Sequence, residues 1–212
     1  MKQASSIPQV IAGAKAMGIS LSEEAARRLL RFEDLLRNRA VPLGLLSVGD
    51  APRIHERHVV DSLRAATLFT PADEAAFDLG PGAGLPGLVL AVAVPWCRFV
   101  LVEPRRIRIG FLELAVESLG LTNTDIAPVR AEALDGQADV VTARAFAPLP
   151  RTWKVASRLL RSDGRLVYFA GLSLRDPVGV AERAAAEGPS PAVVSTRRVL
   201  ATSPPLVIMT RK

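Results

Sequence analysis

Apolar positions recur at helical spacing from Ile7 to Asn38: Val10, Ala14 and Met17, then Leu29, Leu30, Phe32, Leu35 and Leu36. Ser22 followed by Glu23 and Glu24 reads as a capped, acidic first turn, so two helices joined near Gly18 to Ser22 are expected. Residues 41–52 hold two prolines and two glycines and read as a loop. Arg53 to Phe69 is helical again, which makes residues 1–72 an all-helical N-terminal cap.

At Ala75 the texture changes to short apolar runs alternating with helical stretches. The runs predict strands at Ala75–Gly80, Arg98–Glu103, Asp125–Val129, Asp139–Ala143, Arg165–Ala170, Ala192–Val199 and Leu206–Thr210. Helices are expected at Leu85–Val94, Arg105–Leu119, Leu149–Leu160 and Pro177–Glu187. Alternation of this kind is the sequence form of a doubly wound, Rossmann-like α/β domain, here residues 73–212. The last two strands follow each other without a helix, so the seven-stranded sheet should end in an antiparallel hairpin.

Composition narrows the class. The 212 residues carry 27 Lys+Arg against 21 Asp+Glu, a net charge of +6, with 49% hydrophobic and 5% aromatic residues. That apolar fraction excludes a disordered chain, and no run approaches the roughly 18 apolar residues of a membrane span. A soluble monomer without an obligate protein partner is the expectation. A single cysteine, Cys97, excludes an intramolecular disulfide and an all-cysteine zinc site. Met1 to Ile11 has no signal-peptide core, so the cytoplasm is the expected compartment. Of the 27 basic residues, 23 are Arg and 4 are Lys. Arginine suits phosphate because its planar fork bonds two oxygens at once, although a GC-rich genome would favour the same composition. Position has to decide between them.

Asp78-Leu79-Gly80-Pro81-Gly82-Ala83-Gly84-Leu85-Pro86-Gly87 follows the first expected strand and opens a helix. There a nucleotide-type ligand meets backbone N–H groups and a helix N-terminus. Glu103 ends the next strand, where a carboxylate can accept both hydroxyls of a ribose. Read from Gly82 the loop is G-x-G-x-x-G, which fits an NAD-binding oxidoreductase. Read from Asp78 it is D-x-G-x-G-x-G, with an acid suited to the cationic sulfonium of S-adenosylmethionine. Only 68 residues follow Arg144, and the sheet needs them, so a dehydrogenase's substrate domain has no room. The methyl donor is favoured.

Further along, the residues resemble a known family, the small-subunit ribosomal RNA guanine-N7 methyltransferases, also called the glucose-inhibited division protein B family. The likeness rests on Arg57-His58-Val59-Val60-Asp61-Ser62, on the Asp78 to Gly87 loop, and on Leu101-Val102-Glu103-Pro104 with Phe111-Leu112. It continues in Val129-Arg130-Ala131-Glu132 and in Thr142-Ala143-Arg144-Ala145-Phe146-Ala147-Pro148-Leu149. The resemblance implies a class I S-adenosylmethionine-dependent methyltransferase acting on a guanine N7 of 16S ribosomal RNA. It implies a donor site of Asp78, Gly80, Gly82, Gly84, Leu85, Glu103, Ala131, Glu132 and Arg144. The chain departs from the family's pattern at Ala170-Gly171 and at Pro204-Pro205, where similar proteins carry basic residues.

Guanine N7 has an in-plane lone pair and no proton to lose, so attack on a sulfonium methyl needs positioning rather than a general base. The chain accordingly shows neither a proline-preceded catalytic cysteine nor an N/D-P-P-Y/F amino-methylation motif. Arg144, at the carboxyl end of a central strand, is the best candidate for a catalytic contact to donor or substrate. Arg57 and His58 are expected to contact RNA or to support the pocket floor, and RNA contacts are expected from Arg105 and Arg106 beside Arg108. A further stripe, Arg151, Lys154, Arg158 and Arg161, is read as one face of the helix after Arg144 leading to the pocket. His55 and His58 lack a third ligand at metal spacing, so no metal is expected. A non-catalytic, ribosome-associated RNA-binding module of the same fold is the alternative from another class.

Overall fold

A computed structural model of the protein describes residues 6–212. The chain begins with α1 (Ile7–Ala16) and α2 (Glu23–Leu35). Ser22 caps α2 by accepting the Ala25 N–H at 3.1 Å, and Ala26, Leu29 and Phe32 form its buried stripe. Residues 41–52 are not wholly irregular, because a 3-10 turn at Val48–Arg53 closes them. The stretch expected as one helix from Arg53 to Phe69 changes its winding twice. A wide π-type turn at His55–Val60 leads into α3 (Asp61–Leu63) and then a tight 3-10 turn at Arg64–Leu68.

Seven strands follow: β1 (Ala75–Leu79), β2 (Arg98–Val102), β3 (Thr124–Ala127), β4 (Ala138–Arg144), β5 (Leu160–Phe169), β6 (Ala192–Arg197) and β7 (Leu206–Arg211). They lie in the order β3-β2-β1-β4-β5-β7-β6. The first five are parallel, and β7 runs antiparallel to both β5 and β6. The intervening helices are α4 (Gly87–Ala93), α5 (Arg106–Leu119), α6 (Leu149–Leu159) and α7 (Pro177–Glu187). α4 begins two residues later than the periodicity suggests, because the glycine loop consumes Leu85 and Pro86. β5 begins earlier: Leu160 already pairs with Ala138, and the register then jumps so that Val140 faces Arg165.

Side chains alternate across the sheet with period two, which splits the core. One face, with Ala76, Phe99, Leu101, Val140, Val167 and Phe169, packs against α4, α5 and the cap. The other, with Phe77, Leu79, Val141, Ala143, Leu166 and Tyr168, packs against α6 and α7. The cap therefore shares its core with the sheet: Leu29, Phe32 and Leu63 belong to the same cluster as Leu88 and Phe111. Among the described residues no helix is long and apolar enough to cross a membrane.

Candidate active site

Parity on the strands dictates who meets whom at the carboxyl edge. On β1, Asp78 shares a face with Ala76, and it lies in register with Thr142 of β4. Its carboxylate is fully buried; one oxygen accepts the Thr142 hydroxyl at 2.8 Å and the other the Gly87 N–H at 2.7 Å. Burial pushes its pKa up to about 7, against the pull of those two donors and of Arg144. Asp78 thus sits beneath the glycine loop and ties its far end to the sheet, rather than facing a ligand. The Gly87 N–H is thereby taken up within the loop. Gly87 has no room for a side chain, since a Cβ would lie 2.4 Å from Leu101 Cδ2 and 2.5 Å from Asp78 Oδ2.

The open part of the loop is its first half. Gly84 and Leu85 both donate their N–H groups to the Pro81 carbonyl at 2.9 Å, and the Leu85 side chain is buried in the core. Gly82, in contrast, has φ +58° and empty space where a Cβ would point. Beside Gly80 stands Phe146, whose Cδ2 is 3.0 Å from where a Gly80 Cβ would lie. Glu103, 1% exposed, follows β2; it accepts the Arg105 N–H at 3.1 Å and pairs with Arg108 Nη1 at 3.2 Å.

Arg144 shares a face with Val140 and Thr142, so its side chain enters the cap. There Nη2 donates to the Arg57 carbonyl at 2.8 Å and to His58 Nδ1 at 3.2 Å, Nη1 reaches Ser62 Oγ at 3.4 Å, and Asp61 Oδ2 lies 3.7 Å away. Because Nδ1 accepts from a guanidinium, the imidazole is neutral, and burial beside Arg144 lowers its pKa to about 4. His58 is buried at this joint, which corrects its expected role as an RNA contact. The Arg57 side chain is half exposed and pairs with Asp50 at 2.7 Å. His55 faces elsewhere, bonding the buried Glu33 at 2.6 Å.

Sequence reasoning missed Arg64. It is 1% exposed, pairs with Asp61 at 2.8 Å, donates to the Pro204 carbonyl at 2.5 Å, and lies 5.1 Å from the Phe169 ring centroid. The signal for it was a cation inside the apolar run Leu63 to Phe69. Arg64, Arg57 and Arg144 border a cavity of about 1000 Å³ between the cap and the carboxyl ends of β4 and β5. Phe146 and Phe169 line it, as do Ala170, Gly171 and Pro204.

The basic stripe does not lead there. Arg151 pairs with Glu132 at 3.1 Å, and Arg158 donates to the carbonyls of Leu134, Ala131 and Glu132 at 2.8, 3.0 and 3.1 Å. Arg161 lies beyond α6, in β5, and pairs with Asp139 near the start of β4, at the opposite edge of the sheet. Of the four, Lys154 alone has no partner among the described residues. Three of the charges are spent on structure because α6 runs away from the pocket and across the 131–134 turn. Arg105 and Arg106 are exposed, without ion pairs among the described residues. The described residues also hold no cluster of three or more His, Cys, Asp or Glu able to bind a metal.

Comparison with known proteins agrees with this geometry. Residues 25–193 match the GidB family, described as rRNA small subunit methyltransferase G. The ribosomal RNA small subunit methyltransferase G of Clavibacter sepedonicus is 38% identical over 155 residues, covering 72% of this chain and 72% of that protein. Its counterpart in Clavibacter michiganensis subsp. michiganensis is 36% identical, covering 84% of each. Among solved structures, M. jannaschii TYW2 in complex with AdoMet superposes with a TM-score of 0.59 at 13% identity, covering 74% of this chain and 75% of that one. A SAM-dependent O-methyltransferase of Thermotoga maritima gives 0.55 at 18% identity, covering 71% and 64%. The sheet order, with its antiparallel β7, is therefore that of class I methyltransferases. Since the matched residues run from α2 through the glycine loop into β6, the chain belongs to the GidB family of rRNA small subunit methyltransferases G.

Proposed function

We propose that the protein transfers a methyl group from S-adenosylmethionine to N7 of a guanine in the 16S ribosomal RNA of the small subunit, acting as a cytoplasmic monomer. The observation that carries the reading is the wall shared by two sites. Phe146 stands beside Gly80 of the loop, 3.0 Å from where a Gly80 Cβ would lie, and also lines the cavity above β4 and β5. Methyl transfer to an aromatic nitrogen needs the two sites to open into each other so that the nitrogen lone pair meets the methyl in line, and a side chain that borders both can set that alignment.

The chain's residues fit the donor. Gly82 presents open backbone, Gly80 stands beside Phe146, and Glu103 follows β2 where ribose hydroxyls would be accepted. Ala131 and Glu132, held by Arg158 and Arg151, would border the adenine. The Asp78 carboxylate acts through the loop, while Gly84 and Leu85 shape its turn. When bound, S-adenosylmethionine supplies a sulfonium methyl: the guanine N7 lone pair forms the new N–C bond as the S–C bond breaks, and the positive charge passes to the base. Arg144 is a positioning residue that fixes the cap over the cavity, with Arg57 at the rim. Arg105 and Arg106, exposed at the start of α5, would meet RNA phosphates. Glu56 and Asp61 line the acceptor cavity together with Arg57, Arg64 and Arg144.

The test incubates the protein with labelled S-adenosylmethionine and small ribosomal subunits lacking the modification, then seeks 7-methylguanosine in the digested RNA by mass spectrometry. The signal should vanish with Gly80→Asp, whose side chain would collide with Phe146. Binding of subunits with no 7-methylguanosine would establish the non-catalytic RNA-binding reading instead.

A further inference from the structure

Guanine N7 lies in the deep, narrow major groove of an RNA helix, which side chains cannot read. An enzyme acting there takes its base from a loop or draws it out of the stack, and something must fill or hold the gap left behind. Given the N7 methyl transfer proposed for this site, one edge of the acceptor cavity is built for that purpose.

Residues 171–174 form a tight turn at the carboxyl end of β5, closed by the Leu174 N–H donating to the Gly171 carbonyl at 3.0 Å. Leu174 packs against the core of the α6–α7 face and anchors the turn. Leu172, at its tip, is 85% exposed, more than any other large apolar side chain described. Burial on folding does not explain it. Leu172 also stands on the lip between the acceptor cavity and a second, adjoining cavity of about 340 Å³, and lines both. The second cavity is bordered by Arg175 and Arg198. Arg175 is exposed and has no ion pair among the described residues. The neighbouring acid, Asp176, caps α7 by accepting the Gly179 N–H at 3.0 Å. Arg198 is held in place by donating to the Ser203 carbonyl at 3.0 Å. One cleft thus runs from Arg57, Arg64 and Arg144 past an exposed leucine to two further arginines.

We propose that this lip engages the RNA strand: Leu172 inserts beside the target guanine and takes its place in the stack, while Arg175 and Arg198 grip the phosphates of the adjoining nucleotides. Apolar wedges between base steps are how proteins hold a nucleic acid unstacked, and flanking arginines supply the register. The partner is fixed by this pairing, since an apolar tip ringed by cations complements stacked bases between phosphates.

Methylation of unmodified small subunits by the wild type, Leu172→Ala, Leu172→Met and Arg175→Ala/Arg198→Ala separates the two roles. Leu172→Ala should lower kcat about tenfold with KM for the subunits within about twofold, because a wedge acts after docking. Leu172→Met should restore most of the rate. The double arginine variant should raise KM about tenfold and flatten the salt dependence of binding by about 1.4 in log–log slope, the loss of two single-strand phosphate contacts. Donor affinity, read by calorimetry, should not change in any of them. If Arg198→Ala disturbs the 198–205 loop, Arg175→Ala alone should give half the change in slope. Wild-type turnover by Leu172→Ala, or an unchanged slope in the arginine variants, would overturn the proposal. A wild type that binds subunits but forms no 7-methylguanosine would overturn the methyl-transfer reading instead, and the slope would still judge the surface.

Discussion

Replacing Asp78 tests the joint between sheet and glycine loop most directly. Asp78→Ala strands two buried donors, the Thr142 hydroxyl and the Gly87 N–H, which now meet the carboxylate at 2.8 and 2.7 Å. Each stranded donor costs about 1–3 kcal/mol. Against this, the alanine is spared the desolvation that drives the carboxyl pKa from its ordinary 3.8 up to about 7. The balance is a loss of about 2–4 kcal/mol at pH 6, or roughly 5–15 °C in Tm for a chain of this size. Asp78→Asn keeps both bonds, with its amide oxygen accepting from Gly87 and its amide nitrogen donating to Thr142, and it does not titrate. A carboxyl whose folded pKa is raised favours the fold most below its unfolded pKa, and that contribution is lost as pH climbs through 7. The stability of the wild type relative to Asp78→Asn should therefore fall by about 2 kcal/mol between pH 5.5 and 8.5. Urea denaturation of the three proteins at both pH values measures it, and all other titrating groups cancel in the difference. A flat difference, or an alanine variant within about 1 kcal/mol of wild type at pH 6, would refute the reasoning.

The same geometry sets other expectations. His58, neutral because burial lowers its pKa to about 4, should cost stability as pH falls from 6.5 towards 4; His58→Gln should flatten that part of the melting curve. Gly87→Ala pushes a methyl against Leu101 and Asp78 and should cost about 1–3 kcal/mol, with weaker donor binding by calorimetry. Gly82→Ala meets no neighbour, so it should melt within about 1–2 kcal/mol of wild type, the cost of its φ, while still weakening the donor. Lys154→Glu should leave methylation of small subunits within about twofold of wild type, whereas Arg158→Ala, which frees three carbonyls of the 131–134 turn, should lower donor affinity.

Much of this was legible in the chain because the sheet obeys two short-range rules. Apolar runs fixed the strands and their order of appearance, and the missing helix before Leu206 announced the antiparallel hairpin. The Asp78 to Gly87 loop was readable as a ligand site from its glycines, but not which half was open. That depends on Gly84 and Leu85 donating to Pro81, and on Gly87 being closed off by Asp78, neither of which a spacing encodes. The stripe on α6 misled for a related reason: a three-four-three spacing places charges on a helix face but says nothing of the acids and carbonyls that face receives. Glu132, Asp139 and the carbonyls of the 131–134 turn claim three of the four. The winding changes between His55 and Leu68 were likewise invisible, since apolar spacing does not register a shift between π-type and 3-10 turns.

Two arginines, the buried Arg64 and the largely enclosed Arg144, tie the cap to the sheet. Arg144 reaches from β4 into the turn at residues 57–62, and Arg64 reaches from the cap to Pro204 in the β6–β7 connection. Both use Asp61, at 3.7 and 2.8 Å, so one carboxylate neutralises two guanidiniums at the mouth of the acceptor cavity. Burial disfavours a charge unless it is paired and fully bonded, so the two cations are stable only while cap, β4 and the 198–205 loop are assembled around them. The cavity is consequently not a feature of the sheet alone. Its walls are drawn from three separate parts of the chain that one ionic joint holds in register, and displacing the cap by a single hydrogen bond would reshape the surface on which the guanine must be aligned.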